Sequence, residues 1–174
     1  MFDVGSRVIY KANGVCIVSE IRRAKMSELS AEKDYYILKP VNDPNFTIYV
    51  PTDNEALTSQ MREILTADEI ISLIKSMPDE NMEWIDDNKR RSECFKNIFS
   101  SGSRRDLIKM AKVIYNRKME QTAAGKKLYA ADENAMKKAE KILFDEFATV
   151  LDIKQEDVLP FIIGQLECGE KEGA

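Results

Sequence analysis

The hydrophobic pattern of the sequence changes its period near residue 60, and this change restricts the fold more than any other feature. Before that point, short runs rich in β-branched and aromatic residues are separated by turn-forming residues. After it, apolar residues recur at the spacing of one helix face. The sequence therefore predicts an α+β multidomain protein, in which a small SH3/Tudor-like β-barrel precedes an all-α helical bundle.

Four or five short strands are expected within the first part of the chain. Asn13-Gly14 is a strong two-residue hairpin signal and predicts that the first two strands pair. Pro40 and Pro51 suit the ends of the next two strands, because proline cannot donate to a central ladder. The predicted strands span residues 7–10, 15–21, 34–39 and 46–50.

Capping signals divide the rest of the chain into helices. Thr66 and Glu69 form a capping-box pattern, and Met77-Pro78 should stop the helix that follows. Further helices are predicted from about Asp87 to Phe99, after the cap at Ser103, and after Asp132. The expected organisation is a Tudor-like domain at 1–60, a helix and linker at 61–83, a helical domain at 84–153, and a short helix with a flexible tail at 154–174.

Composition argues against most enzymes. The chain has no histidine, which removes the commonest general base and zinc ligand, and its three cysteines form no CxxC pair. It also has no glycine-rich phosphate loop. We therefore predict a protein that is not an enzyme and that binds no cofactor or metal. The alternative is an enzyme using carboxylates such as Asp86 and Asp87, which would require a concave pocket around them.

No run of apolar residues is long enough to span a membrane, and the N-terminal residues do not resemble an export leader. A cytoplasmic protein with no membrane partner is the expectation.

The net charge of −4 hides a strong charge asymmetry. Residues 84–141 carry fifteen Lys or Arg and eight Asp or Glu, whereas residues 142–174 carry two and eight. A basic segment inside an acidic protein is typical of a surface that binds a polyanion such as nucleic acid. The alternative is a solvated helix surface whose charges serve solubility.

Several residue patterns together resemble the CarD/CdnL family of bacterial transcription regulators. The N-terminal ones are Val4-Gly5, Val8-Ile9-Tyr10, Gly14-Val15, Val18 with Ile21, Tyr36-Ile37-Leu38 and Ile48-Tyr49-Val50-Pro51. In the C-terminal part they are Trp84, Lys89-Arg90-Arg91, Ser101-Gly102, residues 137–143 and Glu146-Phe147-Ala148. The resemblance covers about residues 2–153. Its first module also occurs in the transcription-repair coupling factor, a much larger helicase, whose helicase motifs this chain lacks.

The resemblance implies a nucleoid-associated regulator, expected here as a monomer, whose Tudor-like domain binds the RNA polymerase β subunit. Its helical domain would contact promoter DNA at the upstream edge of the transcription bubble, through phosphates and the minor groove and largely without sequence preference. In such proteins a tryptophan wedges into the DNA and stabilises the open complex.

The resemblance and the charge pattern select candidate DNA-binding residues. Trp84 is the expected wedge, with ordinary helix packing as the alternative for this aromatic. Arg105, Lys109 and Lys112 recur at the spacing of one helix stripe, and the remaining cations could extend it. The predicted DNA-binding set is Trp84, Lys89, Arg90, Arg91, Arg105, Lys109, Lys112, Lys126 and Lys127.

The predicted polymerase contact lies in the β-domain. Residues 47–50 could present an edge strand, which would use backbone hydrogen bonds for affinity, or could instead form an interior barrel strand. The predicted polymerase-binding set is Arg22, Arg23, Lys25, Thr47, Ile48, Tyr49 and Val50. A second functional hypothesis is a protein-protein interaction adaptor, with a peptide-binding barrel and no direct DNA contact.

Overall fold

The computed structural model describes residues 1–28 and 31–172, and the chain divides into two compact units, Met1–Ile64 and Leu65–Ala174. The first unit is a β-sheet and the second is helical, which confirms the predicted α+β, two-domain class. The boundary lies beyond the predicted residue 60, because Met61–Glu63 form a strand of the first unit. The predicted segment 61–83 is therefore shared between the two units.

The described residues of the first unit form five antiparallel strands in the order β4-β3-β2-β1-β5. The strands are β1 (Arg7–Tyr10), β2 (Val15–Ala24), β3 (Lys33–Pro40), β4 (Ile48–Pro51) and β5 (Met61–Glu63), and the short helix α1 spans Glu55–Thr58. Within the described residues β4 and β5 pair with one neighbour each. Among the described residues, β4 and β5 are thus the two edges of the sheet, and no strand pairing closes it into the predicted barrel.

The connection between β1 and β2 differs from the prediction. The two strands pair as expected, but a 3₁₀ turn at Lys11–Asn13 and Gly14 link them, so the loop is longer than a two-residue hairpin. Gly14 has φ +70°, a conformation that glycine adopts without steric cost. Its carbonyl accepts a hydrogen bond from the Tyr10 N–H at 3.1 Å, which closes the loop.

One face of the sheet forms the core of the first unit. Val8, Val18, Leu38 and Val50 are fully buried there. These residues come from the four strands β1 to β4, and alternation along each strand directs them to the same side. Alternate residues of β3, such as Tyr35 and Ile37, project from the opposite face and are buried there as well.

Up to residue 172, the second unit contains five α-helices: α2 (Ala67–Ser76), α3 (Asn88–Ser101), α4 (Arg104–Ala123), α5 (Ala130–Leu151) and α6 (Gln155–Glu172). The capping box of Thr66 and Glu69 is confirmed, since each side chain bonds the backbone N–H of the other. Ser103 caps α4 as predicted, and Gly102 ends α3 in the left-handed conformation. Local signals thus define these helix ends.

Two helix predictions were wrong. Helix α5 begins at Ala130 with Tyr129 at its N-cap, because the carboxylate of Asp132 bonds Arg91 instead of capping. Helix α6 is an 18-residue helix and not a short one, although Pro160 lies inside it. Val158 and Ile162 are buried on either side of Pro160 and fix the helix to the core. Of the predicted flexible tail, residues 173–174 lie outside the described residues.

The predicted apolar stripes form the core of the helical unit. Ile70, Phe95, Met110 and Phe147 come from four different helices and are each at most 5% exposed. Val150 and Leu151, at the C-terminal end of α5, are only partly buried. No helix in the described part of the chain is both long and apolar enough to cross a membrane.

Candidate functional site

Strand β4 is an edge strand, as one of the two sequence interpretations predicted. In the described part of the chain it pairs with β3 alone, and its burial alternates between buried Val50 and exposed Tyr49. Val50 and Ile48 pack in the β-core, so their side chains do not form a surface. Thr47 lies just before the strand and is partly buried. An added strand would therefore meet backbone groups here, together with the side chain of Tyr49.

On the sheet face opposite Val8, Val18, Leu38 and Val50, the accessible side chains of Tyr49 and Arg22 lie beside the buried ring of Tyr35. Tyr49 lies opposite Ile37, and its ring contacts Tyr35 edge to face at 6.4 Å between centroids. Arg22 pairs across β2 and β3 with Tyr35, so it lies on the same face. Arg22 approaches Glu20 at 3.9 Å between Nε and Oε1, and both side chains are half exposed. This is a weak surface ion pair, and it leaves the guanidinium accessible.

The other two predicted cations of the β-unit are also on the surface. Arg23 lies 3.4 Å from the Glu32 carboxylate, and both groups are largely exposed. Lys25 follows β2 and is exposed. Water and salt screen such exposed ion pairs, so each pair is weak. A partner's carboxylates could therefore take the place of the internal ones.

In the helical unit, Trp84 is partly buried and lines a cavity of about 200 Å³. It belongs to the irregular segment before α3 and packs against the edge of the helical core. Arg91 and Arg117 lie near its ring, with guanidinium carbons 4.4 and 5.5 Å from the centroid. Lys127 and Tyr129 line the same cavity. The indole is therefore neither fully buried nor free, and cations surround it.

Arg91 does not belong to the exposed surface, which corrects its predicted role as a DNA contact. It is 3% exposed, and its Nε and Nη2 donate to the Asp132 carboxylate at 2.9 and 2.8 Å. Nη1 donates to the carbonyls of Ile85 and Asp86, and Nη2 also donates to Asn88. Every donor of the guanidinium therefore has an acceptor inside the fold. Arg91 fixes the chain directly after Trp84.

Arg105, Lys109 and Lys112 share one face of α4 as predicted, but that face holds the segment between α2 and α3. Glu80 accepts a hydrogen bond from Arg105 and lies 3.4 Å from the Lys109 ammonium. The hydrogen bond from Arg105, with the nearby Lys109 charge, holds the pKa of Glu80 below its ordinary value. Lys112 donates to the carbonyls of Met77 and Pro78 at 3.2 and 2.7 Å. These cations therefore offer less free positive charge than the sequence suggested.

Four predicted cations remain on the surface. Lys89, Arg90, Lys126 and Lys127 are exposed, and none forms an ion pair with another residue in the described part of the chain. Lys89 and Arg90 start α3, whereas Lys126 and Lys127 precede α5. These are the predicted positions best placed to contact phosphates.

Two residues near Trp84 were missed by the sequence reasoning. Arg117 is on α4, one helical turn after the buried Ile114, and this spacing could have indicated its side of the helix. Tyr129 is 58% exposed at the start of α5, and no motif marked it. Their proximity to Trp84 depends on how α4 and α5 pack.

The carboxylates proposed for the enzyme alternative are Asp86 and Asp87. Asp87 is the N-cap of α3 and accepts a hydrogen bond from the Arg90 N–H at 2.7 Å. Asp86 lines the Trp84 cavity. Among the described residues no group of three acidic or cysteine side chains could hold a metal ion.

Residues 2–65 match the family described as the CarD-like/TRCF RID domain. The matched segment coincides closely with the β-unit and ends as the helical unit begins. A search of the curated proteins gave no match to this chain.

Proposed function

We propose, from the match of residues 2–65 to the CarD-like/TRCF RID domain family, a module that binds RNA polymerase, that the protein stabilises the open promoter complex. In this proposal the β-unit binds the polymerase β subunit through β4. The helical unit contacts DNA at the upstream edge of the transcription bubble through Trp84 and nearby cations.

The observation that carries the DNA part of the proposal is the environment of Trp84. A partly buried indole lies in a cavity with Arg117 and Lys127, close to the start of α3, where Lys89 and Arg90 are exposed. An apolar plate held among cations suits a DNA fork, because phosphates meet the cations while the ring covers an unstacked base step. The unstacking costs a few kcal/mol, which the contact with the opened strands offsets.

The mechanism is a shift of an existing equilibrium. A protein that binds the melted fork better than the closed duplex increases the population and lifetime of the open complex. A weak DNA contact is sufficient, because attachment to polymerase gives the helical unit a high local concentration at the fork. The cations contact phosphates without reading bases, so binding should be salt-sensitive and tolerant of sequence.

The polymerase part rests on the edge strand. A partner strand can add to the free edge of β4, with the accessible side chains of Tyr49 and Arg22 supplying further contacts. Tyr49→Ala should therefore weaken capture of polymerase, whereas Val4→Ala, at another exposed apolar position of the same unit, should not.

The deciding experiment measures the lifetime of open complexes formed by polymerase on promoter DNA with the wild-type chain or variants. Trp84→Ala should shorten the lifetime at least about fivefold, a typical size for a coupling between two binding events. It should still capture polymerase. Tyr115→Ala is the matched control, because this tyrosine is 52% exposed on α4 and does not line the Trp84 cavity.

A lifetime unchanged by Trp84→Ala, with polymerase capture intact, would support the adaptor hypothesis instead. The Lys126→Ala/Lys127→Ala double variant tests the phosphate contacts in the same assay. Its effect should decrease as salt increases. Lys137→Ala/Lys141→Ala removes the same charge from α5 and should leave the lifetime unchanged.

A further inference from the structure

A groove of about 540 Å³ runs between the start of α3 and the start of α5. Its lining includes Lys89, Lys96, Lys138, Phe99 and Tyr129. The groove adjoins the Trp84 cavity, because Asn88, Tyr129 and Asp132 line both. Together they form one track that begins at Trp84 and continues past Tyr129.

The charge of this groove is positive. Lys89, Lys96 and Lys138 are exposed, and none of them pairs with a carboxylate of the described residues. The one acidic residue of the lining is Asp132, which is neutralised by Arg91 and almost fully buried. The ammonium of Lys138 lies 4.4 Å from the centre of the Phe99 ring, and this contact holds it beside the groove. The groove therefore suits an anionic ligand.

Tyr129 adds an accessible aromatic surface to the same place. It is 58% exposed, and its side chain makes no capping hydrogen bond although it stands at the N-cap of α5. Ring faces with cations at both sides are the arrangement with which proteins bind unpaired bases, because the base stacks while its phosphates meet the cations. A base within a duplex is already stacked on both faces and cannot use such a platform.

We propose that this groove binds single-stranded DNA, with one unpaired base stacked on Tyr129 and the flanking phosphates near Lys89, Lys96 and Lys138. The inference rests on the proposed function, in which Trp84 meets the fork, and adds that the strand released there continues across the groove. The protein would thus hold a separated strand in addition to wedging the junction.

The test measures binding of the full chain to a fluorescently labelled oligothymidine by fluorescence anisotropy at low salt. A labelled duplex of equal length is the second probe. Tyr129→Ala should weaken single-strand binding about tenfold and duplex binding much less, since stacking requires an unpaired base. Tyr129→Phe should bind like wild type, because the ring is retained. Tyr115→Ala should also bind like wild type.

The contribution of Lys96 and Lys138 is measured by the salt dependence of single-strand affinity. Lys96→Ala and Lys138→Ala should each lower the slope of log affinity against log salt by about 0.7, the value for one phosphate contact on a single strand. A slope unchanged in both variants would place the phosphates elsewhere and overturn the assignment of the groove.

Single-strand affinity unaffected by Tyr129→Ala, or no single-strand binding by the wild-type chain, would also overturn this inference. The proposed function is judged separately by the open-complex lifetime of Trp84→Ala with polymerase present. A shortened lifetime in Trp84→Ala together with unchanged single-strand affinity in Tyr129→Ala retains the wedge and rejects the groove.

Discussion

The guanidinium of Arg91 stacks on the Trp84 ring at 4.4 Å while its Nε and Nη2 bond the carboxylate of Asp132. A cation expected to contact DNA instead connects α3, α5 and the segment that carries the indole. Because Arg91 also binds the carbonyls of Ile85 and Asp86, the backbone after Trp84 has little freedom. The aromatic is therefore presented in a fixed position, which lowers the entropy lost on binding.

Replacing Arg91 should destabilise the helical unit strongly. Arg91→Ala leaves the Asp132 carboxylate buried without its partner, which should lower the free energy of unfolding by about 3 kcal/mol. Urea denaturation followed by circular dichroism measures this change. Arg90→Ala is the control, because its exposed neighbouring side chain has no such partner and should change stability by less than about 0.5 kcal/mol. Equal stability of the two variants would contradict the structural role.

Glu146 should be equally important for the junction of α2, α4 and α5. This carboxylate is 2% exposed, accepts from the Leu65 N–H at 2.9 Å and bonds the Arg104 guanidinium at 2.6 and 2.7 Å. Glu146→Ala should lower the free energy of unfolding by about 3 kcal/mol, because it leaves the partly buried donors of Leu65 and Arg104 without this acceptor. Glu156→Ala, whose carboxylate is 76% exposed, should be nearly neutral in the same denaturation experiment.

Acidification should loosen the segment held by Glu80. Since the pKa of Glu80 is lowered in the folded protein, its contribution to stability is fully present above the ordinary glutamate pKa and is lost as pH falls through the lowered value. Glu80→Gln should therefore be less stable than wild type above about pH 5, with the difference shrinking below about pH 4. Urea midpoints of both proteins across this range measure the effect. A difference that stays constant with pH would contradict it.

Cysteine reactivity should distinguish the β-core from the surface. Burial raises the pKa of Cys16 to about 12, so its thiol stays protonated and inaccessible in the folded β-unit. Cys168 is exposed on α6. Iodoacetamide at mildly alkaline pH should modify Cys168 rapidly and Cys16 only after unfolding, as measured by peptide mass spectrometry. Comparable labelling of both in the native protein would show that the β-core is not closed.

The sequence determined those features that depend on neighbouring residues. The capping box of Thr66 and Glu69, the Ser103 cap and the left-handed Gly102 are local, so residue types three or four positions apart were enough to identify them. The apolar stripes also identified most of the helical core, because helix periodicity alone places them on one face.

Tertiary structure decided which charged residue meets which. Arg91 and Asp132 are 41 positions apart, and Glu80 and Arg105 are 25 apart, so no local pattern could show that these pairs form. Arg91, Arg105, Lys109 and Lys112 were predicted to be free cations. In the folded protein Arg91 bonds Asp132, Arg105 and Lys109 pair with Glu80, and Lys112 bonds backbone carbonyls. No sequence pattern predicted that Tyr129 and Trp84 line the same cavity. Caps and stripes follow from chain geometry over one helical turn, whereas ion pairs and cavities depend on the packing of whole helices.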